Sequence, residues 1–276
     1  MDLRPTPELG NLAERARGEN FPVALRILPK QTRRHLRALY AYARFVDDLG
    51  DEPIPGVDDR TAALDAFEVE VHRLYDGQGV QHPALRALDP TVIPVDPLLR
   101  LIEANRVDQT VTRYATIEQL VAYCMLSANP VGELVLHVFG QATPARIALS
   151  DRICTALQLV EHLQDVVEDH ERGRVYLPQT DLDRFGVSEA DLTARTASTS
   201  LRALVRFETG RAKAWLDEGS PLLATLHGWA RLAVGGYLAG GYATVRALER
   251  SGYDPLPGPP RPRRRDVLTA LVRSVW

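Results

Sequence analysis

Lysine is almost missing from this 276-residue chain: among its 33 lysines and arginines, only Lys30 and Lys213 are lysine. The composition of a source genome can produce that bias, so no function is drawn from it. Cysteine is equally scarce. Cys124 and Cys154 cannot build a disulfide framework, and neither belongs to a Cys-x-x-Cys pair, which points to a reducing compartment. Long uncharged runs are missing as well: no window of about 18 residues is free of charge, as a membrane span requires. The most apolar stretch, Leu222 to Val245, is broken by His227 and Arg231. The first residues, MDLRPTPELG, lack the charged-then-apolar order of a signal peptide. There is no surplus of positive charge either; a net charge of −3 leaves no electrostatic footprint for nucleic acid. These absences predict a cytoplasmic globular protein, and 45% hydrophobic with 25% charged residues is ordinary for one.

What the chain has is helical periodicity, with almost no strand alternation. Leu36, Leu39, Tyr40, Ala43 and Val46 recur at three- and four-residue spacings, the pattern of an amphipathic helix over 33–46. Similar patterns cover 60–75, 98–106, 116–139, 145–169, 199–216 and 222–249, with a short one after Arg265. Proline and glycine clusters at 53–56, 76–79, 94–97 and 254–262 punctuate them. The expected fold is one all-α domain over residues 1–276, a helical bundle, with a basic tail at 255–276. Within it, Pro130 should kink its helix and free a carbonyl near Leu126. Gly235, Gly236, Gly240 and Gly241 interrupt another helix, at about 1 kcal/mol each relative to alanine. Either close helix packing or room for something bulky should offset that cost.

Chemistry concentrates in two acidic clusters. Asp47-Asp48-Leu49-Gly50-Asp51-Glu52 closes the first strong helix, so Asp47 and Asp51 share a face, with Arg44 beside them and Tyr40 one turn earlier. Asp165-Val166-Val167-Glu168-Asp169 repeats the spacing, again expected at a helix C-terminus, with Gln158 and Glu161 upstream on the same face. Acids there oppose the helix dipole and repel one another. Converging carboxylates instead suit a hard cation, and Mg²⁺ is held by a few carboxylates plus substrate phosphates. Neighbouring arginines (Arg44, Arg172, Arg174) would take the remaining phosphate charge.

Four stretches carry a resemblance: ENFPVALRILP at 19–29, YAYARFVDDLGDE at 40–52, YCMLSANPVGELVLHVFG at 123–140 and LQLVEHLQDVVEDHERGRVYLP at 157–178. They are similar to the squalene/phytoene synthase family, all-α enzymes that join or rearrange isoprenoid diphosphates, over roughly residues 20–254. ENFPVA and LSANPVG most resemble the hydroxysqualene synthase branch of bacterial hopanoid pathways. The resemblance implies a central apolar cavity and two or three Mg²⁺ ions held by Asp47, Asp51, Asp165 and Asp169, with Glu161 a further carboxylate where many relatives have asparagine. It also implies that Asn20, Tyr40 and Arg44 face the diphosphate, that Arg174 and Tyr176 close the site, and that Tyr123 and Gln158 line the reaction centre. Gln164 stands where relatives place arginine. Asn129 would bond the freed carbonyl or position water in the cavity. The implied reaction is conversion of presqualene diphosphate and water to hydroxysqualene and diphosphate, without NADPH. Alternatives are head-to-head condensation of two prenyl diphosphates and a non-catalytic family member.

Other residues read plainly. His162 and His137 are expected to be packed or hydrogen-bonded rather than catalytic, Cys124 is a small buried apolar group, and Tyr123, Met125, Leu126 and Leu134 are core by spacing. The tail Arg261-Pro262-Arg263-Arg264-Arg265 with Leu268, Leu271, Val272, Val275 and Trp276 is either an amphipathic segment touching a membrane or a pathway partner, or a last packed helix.

Overall fold

The structure is a computed structural model that describes residues 28–51 and 59–275, the side chains of 272–275 excepted. Asn20 and Glu52 lie outside the described residues. Thirteen α-helices follow one another among the described residues: α1 Lys30–Asp51, α2 Arg60–Tyr75, α3 Pro83–Arg86, α4 Val95–Val107, α5 Ile117–Ser127, α6 Asn129–Val138, α7 Pro144–Gln164, α8 Val166–Glu171, α9 Gln179–Phe185, α10 Thr199–Gly219, α11 Leu222–Thr225, α12 Gly228–Arg250 and α13 Arg264–Val275. The all-α expectation holds: the described residues contain no strand, only an isolated bridge between Arg113 and Val175. Local chemistry starts the helices where polar residues occur. Asp59 accepts from the Ala62 N–H and caps α2, Thr116 caps α5 through Gln119, and Ser198 caps α10 through Leu201. Gly186, at φ +64°, ends α9 in the left-handed conformation that favours glycine.

The chain divides into two compact units. The first comprises the described residues up to Thr110 together with Pro130–Thr143. Its core is built from Tyr42, Val46, Leu49, Leu64, Phe67, Ile93, Leu98 and Ile102, all fully buried. Burying a tyrosine requires a partner for its hydroxyl; Tyr42 donates to the Leu98 carbonyl at 2.9 Å and Tyr75 to that of Ile93 at 2.6 Å. The second unit holds Val111–Asn129 and everything after Pro144. Its centre is α7 against α10 and α12, with Leu159, Leu163, Leu204, Leu216, Leu238 and Ala243 buried between them. Gly219 makes this approach close: a Cβ there would sit 2.5 Å from Ile153 Cγ1 and 2.8 Å from the Leu149 carbonyl.

The structure refines several readings. Pro130 does not kink one helix but separates two, α5 ending at Ser127 and α6 starting at Asn129. Read together, Ile117–Val138 is the one helical run among the described residues long and apolar enough to cross a bilayer, by length and composition alone, and much of it is buried in the fold. Met125 is 54% exposed rather than core, and Leu126 half-buried, because α5 buries the face carrying Leu120, Tyr123 and Cys124. The helix glycines divide their labour: a Cβ at Gly241 would press on Leu157 and Leu216 at 2.8 and 3.1 Å, whereas one at Gly236 or Gly240 would meet nothing within 4 Å. The basic tail forms α13, packed along α12 and tied to it by an Arg250–Asp266 ion pair at 2.7 Å, while Leu268 stays exposed.

Candidate active site

In the first unit, the last two turns of α1 present Asp47 and Asp51 at the surface, one turn apart. Water reaches the Asp47 carboxylate, yet the protein packed around it displaces enough solvent to raise its pKa to about 6; the Asn105 amide and Arg44 pull it down, and Asp51 and Asp48 add to the rise. Arg44 itself pairs with Asp48 at 2.8 Å, on the neighbouring face, rather than with Asp47. Tyr40 is buried one turn before it. Two supports escaped the sequence reading. Asn105 on α4 donates to Asp47 Oδ1 at 3.4 Å and to the Leu101 carbonyl at 3.1 Å, and Gln109, one turn on, donates to the carbonyl of Gly50 at 3.1 Å. Gly50 allows this: a Cβ at that position would collide with the Asn105 amide oxygen. A Gly inside an acidic helix end signals such an approach, but the spacing of α1 cannot reveal its partner on α4.

In the second unit, the second acid set differs from its expected placement. The helix stops at Gln164, and Asp165 occupies the N-cap position of the separate six-residue α8, with Asp169 in its first turn. The four-residue spacing survives, closed by the Asp169 N–H on the Asp165 carbonyl at 2.8 Å. At a helix start rather than a helix end, the dipole favours the negative charge. Desolvation, followed by the charges of Asp169 and Glu168, still raises Asp165 above the ordinary carboxylate range, and His162 and Arg172 oppose that rise. Asp165 and Glu168 border a cavity of about 640 Å³ whose opposite wall is Pro255–Pro259. Gln164 pins that proline segment by donating to the Pro260 carbonyl.

On its other neighbours, the second set meets aromatics. His162 Nδ1 lies 3.7 Å from Asp169 Oδ2, its ring stacks on Tyr176 with centroids 3.8 Å apart, and Gln158 bonds its Nε2 at 3.3 Å. Tyr176, Tyr123 and Tyr114 form a mutual cluster with centroids 5.5 to 5.8 Å apart. Gln158, Asp169, Tyr123 and Tyr176 are thus linked to one another through His162 and Tyr176, and the structure adds Tyr114. The backbone N–H of Arg174 donates to the Asp169 carbonyl at 2.8 Å, placing RGRVYLP beside the acids. Glu161 is exposed on α7. Asn129 is buried, and its Oδ1 accepts from Thr155 Oγ1 at 2.9 Å. Cys124 is buried with its thiol pushed up to about 12, and is inert. His137 is half-buried.

The donors of each set fit a hard divalent cation by type, since all are carboxylate oxygens and each set contains an acid whose ionised form is disfavoured by its surroundings. Among the described residues, no three Asp, Glu, His or Cys side chains close on one point as a finished metal cage. Such donor pairs suit an ion that takes most of its ligands from phosphate and water.

A family model described as squalene/phytoene synthase matches residues 15–269. The chain is 35% identical over 215 residues to a hydroxysqualene synthase of Rhodopseudomonas palustris, covering 76% of this chain and 72% of that one. It is 32% identical over 219 residues to a phytoene synthase of Mycobacterium bovis, covering 77% and 71%. The solved squalene synthase HpnC of Alicyclobacillus acidocaldarius superposes with a TM-score of 0.80 at 42% identity, covering 88% of this chain and 94% of that one.

Proposed function

The chain belongs to the squalene/phytoene synthase family, and from that premise we propose that this isoprenoid synthase converts presqualene diphosphate and water to hydroxysqualene and diphosphate. The observation that carries the reading is an acid meeting aromatic rings: Asp169 lies beside His162, His162 stacks on Tyr176, and Tyr176 lies beside Tyr123 and Tyr114. One side of that arrangement suits a leaving anion held through its cation, the other a carbocation. Mg²⁺, when bound, would neutralise the departing diphosphate and make it a better leaving group.

Asp47 with Asp51, and Asp165 with Asp169, are the carboxylate sets that would hold Mg²⁺ for the diphosphate, and Glu161 is a further ligand candidate. Arg44 and Arg174 take phosphate oxygens, together with Tyr40 and Asn20. Breaking of the C–O bond sends the electron pair to diphosphate and leaves a cyclopropylcarbinyl cation. The faces of Tyr123 and Tyr176 stabilise it, and Gln158 and Asn129 orient polar groups around it. The open strip beside Gly236 and Gly240 gives apolar chain room along α12. After rearrangement, one water adds to the cation and passes its proton to the departed diphosphate. No reductant enters this balance, so NADPH is not required.

The test is incubation of the pure protein with presqualene diphosphate and Mg²⁺, without NADPH, followed by mass spectrometry. Hydroxysqualene is the expected product, and Asp47→Ala and Asp165→Ala should each lower turnover by orders of magnitude. Formation of phytoene from geranylgeranyl diphosphate, or of presqualene diphosphate alone from farnesyl diphosphate, would assign the chain to condensation instead, the chemistry that the phytoene synthase relative favours.

A further inference from the structure

His162 has no part in the reaction just described, yet it is the side chain through which Gln158, Tyr176 and Asp169 meet. Its imidazole is 7% exposed. The Tyr176 ring lies on it nearly parallel, at 9° and 3.8 Å, which leaves it little freedom to turn. An amide nitrogen can only donate, so the contact from Gln158 Nε2 makes His162 Nε2 the acceptor. A neutral ring then carries its proton on Nδ1, the atom 3.7 Å from Asp169 Oδ2. The main chain of Asp169 is already fixed, its N–H on the Asp165 carbonyl and its own carbonyl accepting from Arg174. The carboxylate is not fixed by those bonds.

We propose that His162 is a positioning residue that aims the Asp169 carboxylate at the divalent ion of the bound diphosphate, with Gln158 setting the tautomer and Tyr176 the ring plane. The proposal rests on the reading of Asp169 as a ligand of that ion. Outer partners that orient a ligating group typically change metal affinity by about 10–100-fold when removed. A histidine present only to fill space would change folding and leave the affinity of the folded protein alone. The position looked uninformative in the sequence because residue 162 falls off the acidic stripe of a continuous helix. The break after Gln164 brings the following turn back against it.

The experiment is titration of the full-length protein with Mn²⁺ in the presence of inorganic diphosphate, followed by electron paramagnetic resonance, with melting temperature as a folding check. His162→Leu should weaken Mn²⁺ binding by about tenfold or more and raise the metal concentration giving half-maximal turnover. His162→Asn places an amide nitrogen where Nδ1 stands and should restore most of the affinity. Gln158→Leu, which leaves the ring in place but frees its tautomer, should give a smaller loss and keeps the test decisive if His162→Leu folds poorly. Wild-type Mn²⁺ affinity in folded His162→Leu, or in Gln158→Leu where His162→Leu does not fold, alongside weakened binding in Asp169→Asn, overturns the proposal alone. Wild-type affinity in Asp169→Asn as well overturns the ligand assignment beneath it.

Discussion

Gly50 and Asn105 illustrate how a single side chain supports an acid it does not adjoin in sequence. The amide of Asn105 occupies the space that a methyl group on residue 50 would need, and from there it donates to Asp47. Gly50→Ala is therefore expected to displace Asn105, at about 1–3 kcal/mol of stability, the usual cost of overpacking. Denaturant unfolding measures it. Asn105→Ala removes the obstruction, so the double variant should cost less than the two single losses together. Asp47 would lose its amide partner in either case, and Mg²⁺-dependent turnover should fall alongside stability.

At the scale of elements, the informative places are the two helix breaks. Thr155 on α7 donates to Asn129, the first residue of α6, and both are buried. Thr155→Val keeps the shape and orphans the Asn129 oxygen, an expected loss of about 1–3 kcal/mol, read by thermal melting. The long helices were legible because each repeats its apolar residues over several turns: 60–75 was read with the observed limits, and α1, α4, α10 and α13 within a few residues. The runs 116–139, 145–169 and 222–249 each proved to be two helices, at Ala128, Asp165 and Leu226–His227. Periodicity carries across an interruption of one or two residues, so it cannot report one. The short α3 and α9 were missed, having too few turns to show a period. The same limits apply to the site. Asp47, Asp51, Asp165 and Asp169 announce themselves by spacing, but Asn105, Gln109 and Tyr114 come from other helices and loops, and His162 reaches Asp169 only through the break.

For the molecule as a whole, two buried groups with opposite shifts shape the response to pH. Burial raises Glu208 to about 8, with Arg211 opposing and Asp181 reinforcing. The native state therefore keeps a proton that the unfolded chain releases above about 4.5, and stability falls as pH rises from there to 8. Burial also lowers His82, packed 3.9 Å from Phe45 between ring centroids, to about 4 from an ordinary 6.5. Stability from that source is complete above 6.5 and is lost as pH falls towards 4. The two slopes oppose one another between about 4.5 and 6.5, and Asp47, raised to about 6, adds to that of Glu208. Glu208→Gln should flatten the fall in unfolding free energy above about 6.5, and His82→Phe should steepen it between about 4.5 and 6.5. A separate expectation follows from the reading of the acid sets: Mg²⁺ with inorganic diphosphate, each well above its dissociation constant, should raise the melting temperature by several degrees, since ligand at a hundredfold excess contributes about 2.7 kcal/mol. Asp165→Ala should abolish most of that rise.

The two units are also interleaved along the chain, since Pro130–Thr143 belongs to the first while the residues on either side belong to the second. That segment brings Leu134 into the first unit's hydrophobic interior and Glu133 to the guanidinium of Arg100. During synthesis, the amino-terminal third must wait for a later stretch before its own interior is sealed. A fragment ending at Thr110 would emerge with greasy surface uncovered and with Arg100 keeping Asp96 but missing Glu133, prone to clump. Splitting this gene into separately expressed halves at that point would yield two insoluble pieces.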